Sequence, residues 1–60
     1  MFTMKDKRLA VERELTYRRR VYPRLIAGGK MTDGFAAAQI AIFEAILEDY
    51  QKAEAGERLI

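Results

Sequence analysis

The chain has 60 residues, of which 50% are apolar and 33% are charged, and its net charge is +2. This composition is typical of one small folded domain, here residues 1–60, and excludes a disordered tail. A chain of this length builds a small core, and with no Cys and no His it has neither disulfides nor the usual zinc ligands to support one. We therefore expect association with another chain to stabilise the fold.

The same composition predicts where the protein works. Absence of Cys fits a reducing compartment. Behind Met1 there is no apolar segment of the kind that a signal peptide needs, and no run approaches the roughly 20 apolar residues that span a bilayer. We predict a soluble cytoplasmic protein with no membrane partner.

A first helix is predicted over about residues 5–27. The segment is rich in good helix formers, and its apolar positions recur in steps of three and four residues. Pro23 interrupts the pattern, because it lacks an N–H and disfavours helical geometry at Tyr22. The helix either kinks there or breaks and restarts for one turn, and a kink is favoured because Tyr22 is a poor N-cap. The recurring positions are Leu9, Val11, Leu15, Arg18, Tyr22, Leu25 and Ile26.

A glycine turn then leads into a second helix over about residues 33–55. Gly28 is predicted as the left-handed residue that ends the first helix, and Thr32 or Asp33 as the cap of the second. A connection this short makes the two helices antiparallel neighbours. The predicted fold class is therefore all-α, an antiparallel helical hairpin.

The second helix has more apolar surface than one neighbouring helix can cover. One seam should pack on the first helix, and a second stripe beside it needs another surface, either from another copy of the chain or from a different protein. We predict that a second copy covers this stripe, giving a homodimer with a four-helix arrangement. The seam comprises Ala36, Ile40, Phe43, Leu47 and Tyr50, and the candidate self-association stripe comprises Phe35, Ala38, Ile42 and Ile46. The predicted core comprises Val11, Leu15, Tyr22, Ile40, Phe43 and Leu47.

The residue types argue against catalysis. The chain has no His, Cys, Ser, Asn or Trp, so the common nucleophiles and the common neutral-pH base are missing. Acidic pairs such as Glu44 with Glu48 and Glu48 with Asp49 are typical of a solvated helix face. The string GGKMT departs from the phosphate-binding loop, because Met31 separates Lys30 from Thr32. We predict no enzyme activity, no catalytic residues, no cofactor and no metal.

Charge is distributed unevenly along the chain. Residues 1–30 carry nine Lys or Arg against three acids, a net charge of +6, whereas residues 31–60 carry two against six, a net charge of −4. Three consecutive arginines spread over roughly 200° of a helix, so one surface cannot use them all. Three roles remain open for this basic segment: pairing within the fold, with Arg13 and Arg18 near Glu48 and Glu44; binding a protein; or binding nucleic-acid phosphates. The candidate partner-binding residues are Arg18, Arg19, Arg20, Arg24, Tyr17 and Tyr22.

Two runs, RELTYRRRVYPRLIAGGKMT and AAAQIAIFEAILEDY, resemble small uncharacterised proteins encoded by phages and prophages of proteobacteria. The resemblance covers about residues 12–51, and its most distinctive part is RRRVYP followed by the glycine turn and Met-Thr. Where those proteins open the second helix with an acidic residue and Ala, this chain has Gly34 and Phe35. The resemblance implies a phage accessory protein in a bacterial cytoplasm, and supplies no site residues.

These observations favour a noncatalytic protein-interaction module that binds a larger host complex and modulates or inhibits it. The alternative is a small basic nucleic-acid-binding protein that uses its arginine-rich first helix. A third interpretation is a structural component of an oligomeric assembly.

Overall fold

The structure is a computed structural model that describes residues 1–58. In that range it has two helices, α1 (Met4–Ala27) and α2 (Asp33–Arg58), and no strand. The helices pack on each other in opposite directions, since Arg8 near the start of α1 meets Glu54 near the end of α2. The predicted all-α antiparallel hairpin is confirmed. Both helices are slightly longer than predicted, by one residue at the start of α1 and by three at the end of α2.

A capping box that the sequence prediction missed begins α1. The Thr3 hydroxyl accepts a hydrogen bond from the Asp6 backbone N–H at 3.1 Å, and the Thr3 N–H donates to the Asp6 carboxylate at 3.0 Å. Two backbone donors of the first turn are satisfied in this way. The Asp6 charge also lies at the positive end of the helix dipole. These contacts explain why the helix begins at Met4.

Helix α1 runs without a break through Pro23 to Ala27, so the alternative of a broken and restarted helix is wrong. A proline inside a helix costs about 3 kcal/mol, because it removes a hydrogen bond and crowds the preceding turn. The turn after the proline holds Leu25 and Ile26, which are half-buried, as is Tyr22 just before it. We infer that burying these side chains offsets the backbone cost.

The turn between the helices uses a different glycine from the one predicted. Gly28 has φ −83°, whereas Gly29 has φ +74° and is the left-handed residue. The Lys30 N–H donates to the Leu25 carbonyl at 2.9 Å and the Gly29 N–H to the Ile26 carbonyl at 3.0 Å, which is the Schellman pattern. In this motif the left-handed residue follows the C-cap, so the first glycine is the cap and the second takes the positive φ.

Gly29→Ala is expected to lower the free energy of unfolding by about 1 kcal/mol, because a Cβ is strained at positive φ. Gly28→Ala is the matched control. Its φ is negative and a Cβ there lies 3.4 Å from the Arg24 carbonyl oxygen, an ordinary contact. Urea unfolding followed by circular dichroism measures both variants. Equal effects of the two substitutions would contradict this assignment of the turn.

Thr32, one of the two predicted caps, is the N-cap that precedes α2. Its hydroxyl accepts from the Phe35 N–H at 3.2 Å, and its carbonyl accepts from the Ala36 N–H at 3.0 Å. Asp33 is the first helical residue, where its charge complements the helix dipole. The predicted start of α2 is therefore confirmed.

The hairpin has a thin core. Among residues 1–57, whose burial the structure describes, the buried apolar residues are Leu15 and Ala36, at 2% and 4% exposure. The other predicted core residues are only half-buried, because two helices cannot surround a side chain: Val11, Tyr22, Ile40, Phe43 and Leu47. The molecule measures 48 × 18 × 15 Å and its accessible surface is 4669 Å². A compact monomer of this mass should expose about 4000 Å².

Candidate interaction surfaces

The three consecutive arginines point in three directions, as the helix rotation of about 100° per residue requires. Arg18 lies against α2, Arg19 lies on one flank of the hairpin, and Arg20 faces away from α2. The candidate partner-binding set therefore does not form one surface.

Arg18 is a packing residue. Its side chain is 16% exposed and its guanidinium carbon lies 3.6 Å from the centre of the Phe43 ring. It donates to the Glu14 carboxylate at 3.0 Å and approaches the Gln39 carbonyl and side-chain oxygens at 3.5 Å. A cation held on a ring face in a desolvated position contributes about 2 kcal/mol. Arg18, and Tyr22 whose ring centre is 5.9 Å from the same carbon, thus belong to the contact between the helices.

Pairing within the fold accounts for part of the basic charge, through partners other than those predicted. Arg19, not Arg18, binds Glu44, at 2.8 Å, because Arg18 is turned toward Phe43. Glu48 binds Lys52 at 3.0 Å on its own helix instead of Arg13. The hydrogen bond to Glu48 raises the pKa of Lys52, to which the nearby Asp49 charge also contributes. Exposed pairs of this kind contribute little stability.

An outer basic stripe runs along the face of α1 opposite to α2. It comprises Arg13, Tyr17, Arg20 and Arg24, which follow one another in steps of four, three and four residues. All four are exposed, and the Arg20 guanidinium carbon lies 5.9 Å from the centre of the Tyr17 ring. Within residues 1–58 no ion pair involves these three arginines. Three members of the stripe were predicted as partner-binding residues: Tyr17, Arg20 and Arg24. Arg13 was not, although its position in the helical repeat places it on the same face.

The predicted self-association stripe lies uncovered beside the contact with α1. We call it the α2 apolar face: Phe35, Ala38, Ile42 and Ile46. Phe35 is 54% exposed and Ile42 is 50% exposed, Ala38 is exposed, and Ile46 is half-buried. The structure thus places these four residues on one side of α2 as the spacing predicted.

A buried charge pair at the open end of the hairpin was not found from the sequence. Glu54 is 7% exposed and accepts a hydrogen bond from Nε of Arg8, while Nη1 of Arg8 donates to Glu12 at 2.9 Å. The hydrogen bonds to Glu54 and then Glu12 raise the pKa of Arg8. This cluster joins the start of α1 to the end of α2, and we assign it a role in fixing their register. Arg8 and Glu54 are 46 residues apart, so local spacing gave no signal for their pairing.

Residues 1–58 contain no group of three or more metal-ligating side chains. None of the helices described is long and apolar enough to cross a bilayer. Surface hollows lie beside Phe2 and Leu9 and beside the turn at Lys30, and both are open to solvent.

Comparisons with known proteins do not add an assignment. No protein-family model, curated protein or solved structure matches the chain. The resemblance to phage and prophage proteins stays a prediction. Any functional argument must rest on the two surfaces described above, the outer basic stripe of α1 and the α2 apolar face.

Proposed function

We propose that this protein is a noncatalytic helical interaction module that self-associates through the α2 apolar face and binds a larger host protein complex. In this proposal it is a phage or prophage accessory protein that modulates or inhibits that complex in the cytoplasm of a bacterial host. The observation that carries the proposal is the exposure of about half of Phe35 and half of Ile42 on one side of a two-helix chain.

The energetic argument concerns apolar area. Each Å² of apolar surface removed from water contributes about 25 cal/mol. A hairpin with Leu15 and Ala36 as its buried apolar residues gains little from its own core. Covering the α2 apolar face adds a contribution that the single chain lacks. A phosphate backbone supplies no apolar surface, so a protein is the better occupant of this face.

The outer basic stripe is the surface we assign to the host protein. Tyr and Arg are frequent hot-spot residues because they combine a large contact area with directed hydrogen bonds. Tyr17 stands between Arg13 and Arg20 on this stripe and half of it is exposed. A partner with acidic groups around an apolar recess would bind both kinds of side chain. Its dissociation rate should depend on these few contacts.

The test is affinity capture from nuclease-treated bacterial lysate with matched variants. Tyr17→Ala combined with Arg20→Ala should lose the captured protein, whereas Arg19→Ala should keep it, because Arg19 lies on another flank and pairs with Glu44. Circular dichroism confirms that all variants are folded. Equal capture by both variants, or no protein captured by the wild type, would contradict the assignment of the stripe.

The alternative function is nucleic-acid binding, and the outer basic stripe favours it as a specific observation. Three exposed arginines share the stripe with Tyr17, an aromatic residue that can stack on a base. Each phosphate that is neutralised contributes about −0.9 to the slope of log K against log salt. Titration of duplex and single-stranded nucleic acid at near-physiological salt tests this alternative. Submicromolar binding, lost when Arg13, Arg20 and Arg24 become Ala in a folded protein, would favour it over the host protein.

A further inference from the structure

We propose that two copies pair with their α2 helices antiparallel, with Ile42 of each copy at the twofold axis. The inference rests on the self-association in the proposed function and names its occupant and its orientation. A second copy is a suitable occupant because the face has the same spacing in both directions from Ile42. The small Ala38 stands four residues before it and the large Ile46 four residues after it, so the face is complementary to its own reverse. Two features of the hairpin select the antiparallel orientation, and the position of α1 determines what that orientation does to the outer basic stripe.

The first feature is the spacing of side chains about Ile42. In an antiparallel pair centred there, residues whose numbers add to 84 lie opposite each other. Ala38 then faces Ile46 of the second copy, and each small side chain leaves room for a large one. The same pairing occurs twice by symmetry. A parallel pair instead places Ala38 beside Ala38 and leaves a gap in the contact.

The second feature is charge. Asp49 follows Ile42 by seven residues and continues the α2 apolar face toward the end of the helix. A parallel pair would bring the two Asp49 carboxylates together. By the same pairing rule, an antiparallel pair places each Asp49 opposite Phe35 in the first turn of the other α2, and the helix dipole makes that end partially positive. Asp33, the acidic residue of that turn, lies on the opposite side of the helix by phase.

The position of α1 relative to the α2 apolar face determines where the two first helices lie in the pair. The approach of Arg18 to Gln39 marks one flank of the hairpin and the Arg19–Glu44 pair marks the other. Helical phase places the α2 apolar face on the Gln39 flank. In an antiparallel pair both α1 helices lie on the same side of the two α2 helices, whereas in a parallel pair they lie on opposite sides. In the antiparallel pair the outer basic stripes of both copies therefore share one face.

Cysteine cross-linking tests the orientation, and the natural chain has no Cys to interfere. Ala38→Cys and Ala45→Cys variants, both at exposed positions of α2, are oxidised separately and as a mixture. The antiparallel pair predicts that the mixed product exceeds either product of one variant with itself. Efficient linkage of the Ala38→Cys variant to itself would overturn the proposal, because those positions lie side by side only in a parallel pair.

Asp49→Asn gives a second test whose sign depends on orientation. In the antiparallel pair the substitution removes two favourable interactions, and the dissociation constant should rise about 3- to 30-fold. In a parallel pair it removes a repulsion, so the constant should fall. Glu48→Gln, next to it but bonded to Lys52 on another side of α2, is the control and should change little.

The outcomes separate this inference from the proposed function. A wild-type protein that stays monomeric and folded at high micromolar concentration overturns both the self-association and its orientation. A dimer that tightens on Asp49→Asn and links Ala38→Cys to itself overturns the orientation alone. A dimer that gives the mixed cross-link and weakens on Asp49→Asn supports both.

Discussion

Ile42→Asp should convert the protein to a monomer. Ile42 is 50% exposed in the hairpin. The substitution should therefore weaken the contact between copies more than it weakens the packing within one chain. The substitution removes apolar burial on both copies and places two carboxylates near the twofold axis. Together these effects should weaken association by about 4 kcal/mol, or about a thousandfold in the dissociation constant. Light scattering coupled to size exclusion measures the change, and circular dichroism shows how much helix remains.

Ala41→Asp is the matched control for this prediction. The residue precedes Ile42 and is exposed, but the helix rotation turns it away from the α2 apolar face. Ala41→Asp should lower the stability of the helix only slightly, by the difference in helix propensity between Ala and Asp, and should leave the dimer intact. An oligomeric state that responds equally to both substitutions, or to neither, would show that this face does not mediate association.

When each of the three consecutive arginines is replaced singly by Ala, Arg18→Ala should be the most destabilising substitution. The side chain is mostly buried, lies on the Phe43 ring and is bonded to Glu14. Losing the cation–π contact and the packing of its stem should lower the free energy of unfolding by about 2 kcal/mol. Urea unfolding of each variant at several protein concentrations measures this loss and separates it from dissociation.

Arg19→Ala is the natural comparison, because Arg19 makes an exposed ion pair with Glu44. Exposed pairs contribute about 0.2–1 kcal/mol, and less at high salt. Arg18→Lys adds a second comparison: it keeps the charge but loses the planar group that stacks on Phe43. If Arg18→Ala and Arg19→Ala destabilise equally, or if Arg18→Lys has no effect, the packing role of Arg18 is wrong.

Much of the fold followed from local rules. The periodicity of α2 and the two glycines defined both helices and the reversal between them, and Thr32 was an expected cap. Two details were wrong or missed because they depend on the geometry of one turn. The glycine pair did not reveal which member has positive φ, and Thr3 with Asp6 was not read as a capping box.

A surface could be predicted from the sequence only where its residues recur at helical spacing. The α2 apolar face followed from its spacing, and Arg18 already shared the phase of Leu15 and Tyr22, which was a sign that it faces α2. The Arg8–Glu54 pair had no such sign, because it depends on the register between two helices. Burial was overestimated at five of the six predicted core residues, since two helices leave one side of each residue open: Val11, Tyr22, Ile40, Phe43 and Leu47.

The molecular mass of the wild-type protein in solution tests the central claim most directly. Light scattering from micromolar to high micromolar concentration should give twice the mass of the chain, with the full helix content retained. That result would place a second copy in contact with the first, as the exposed halves of Phe35 and Ile42 require. A well-folded monomer throughout the range would contradict the account, because the single hairpin would then be stable with its α2 apolar face exposed to water.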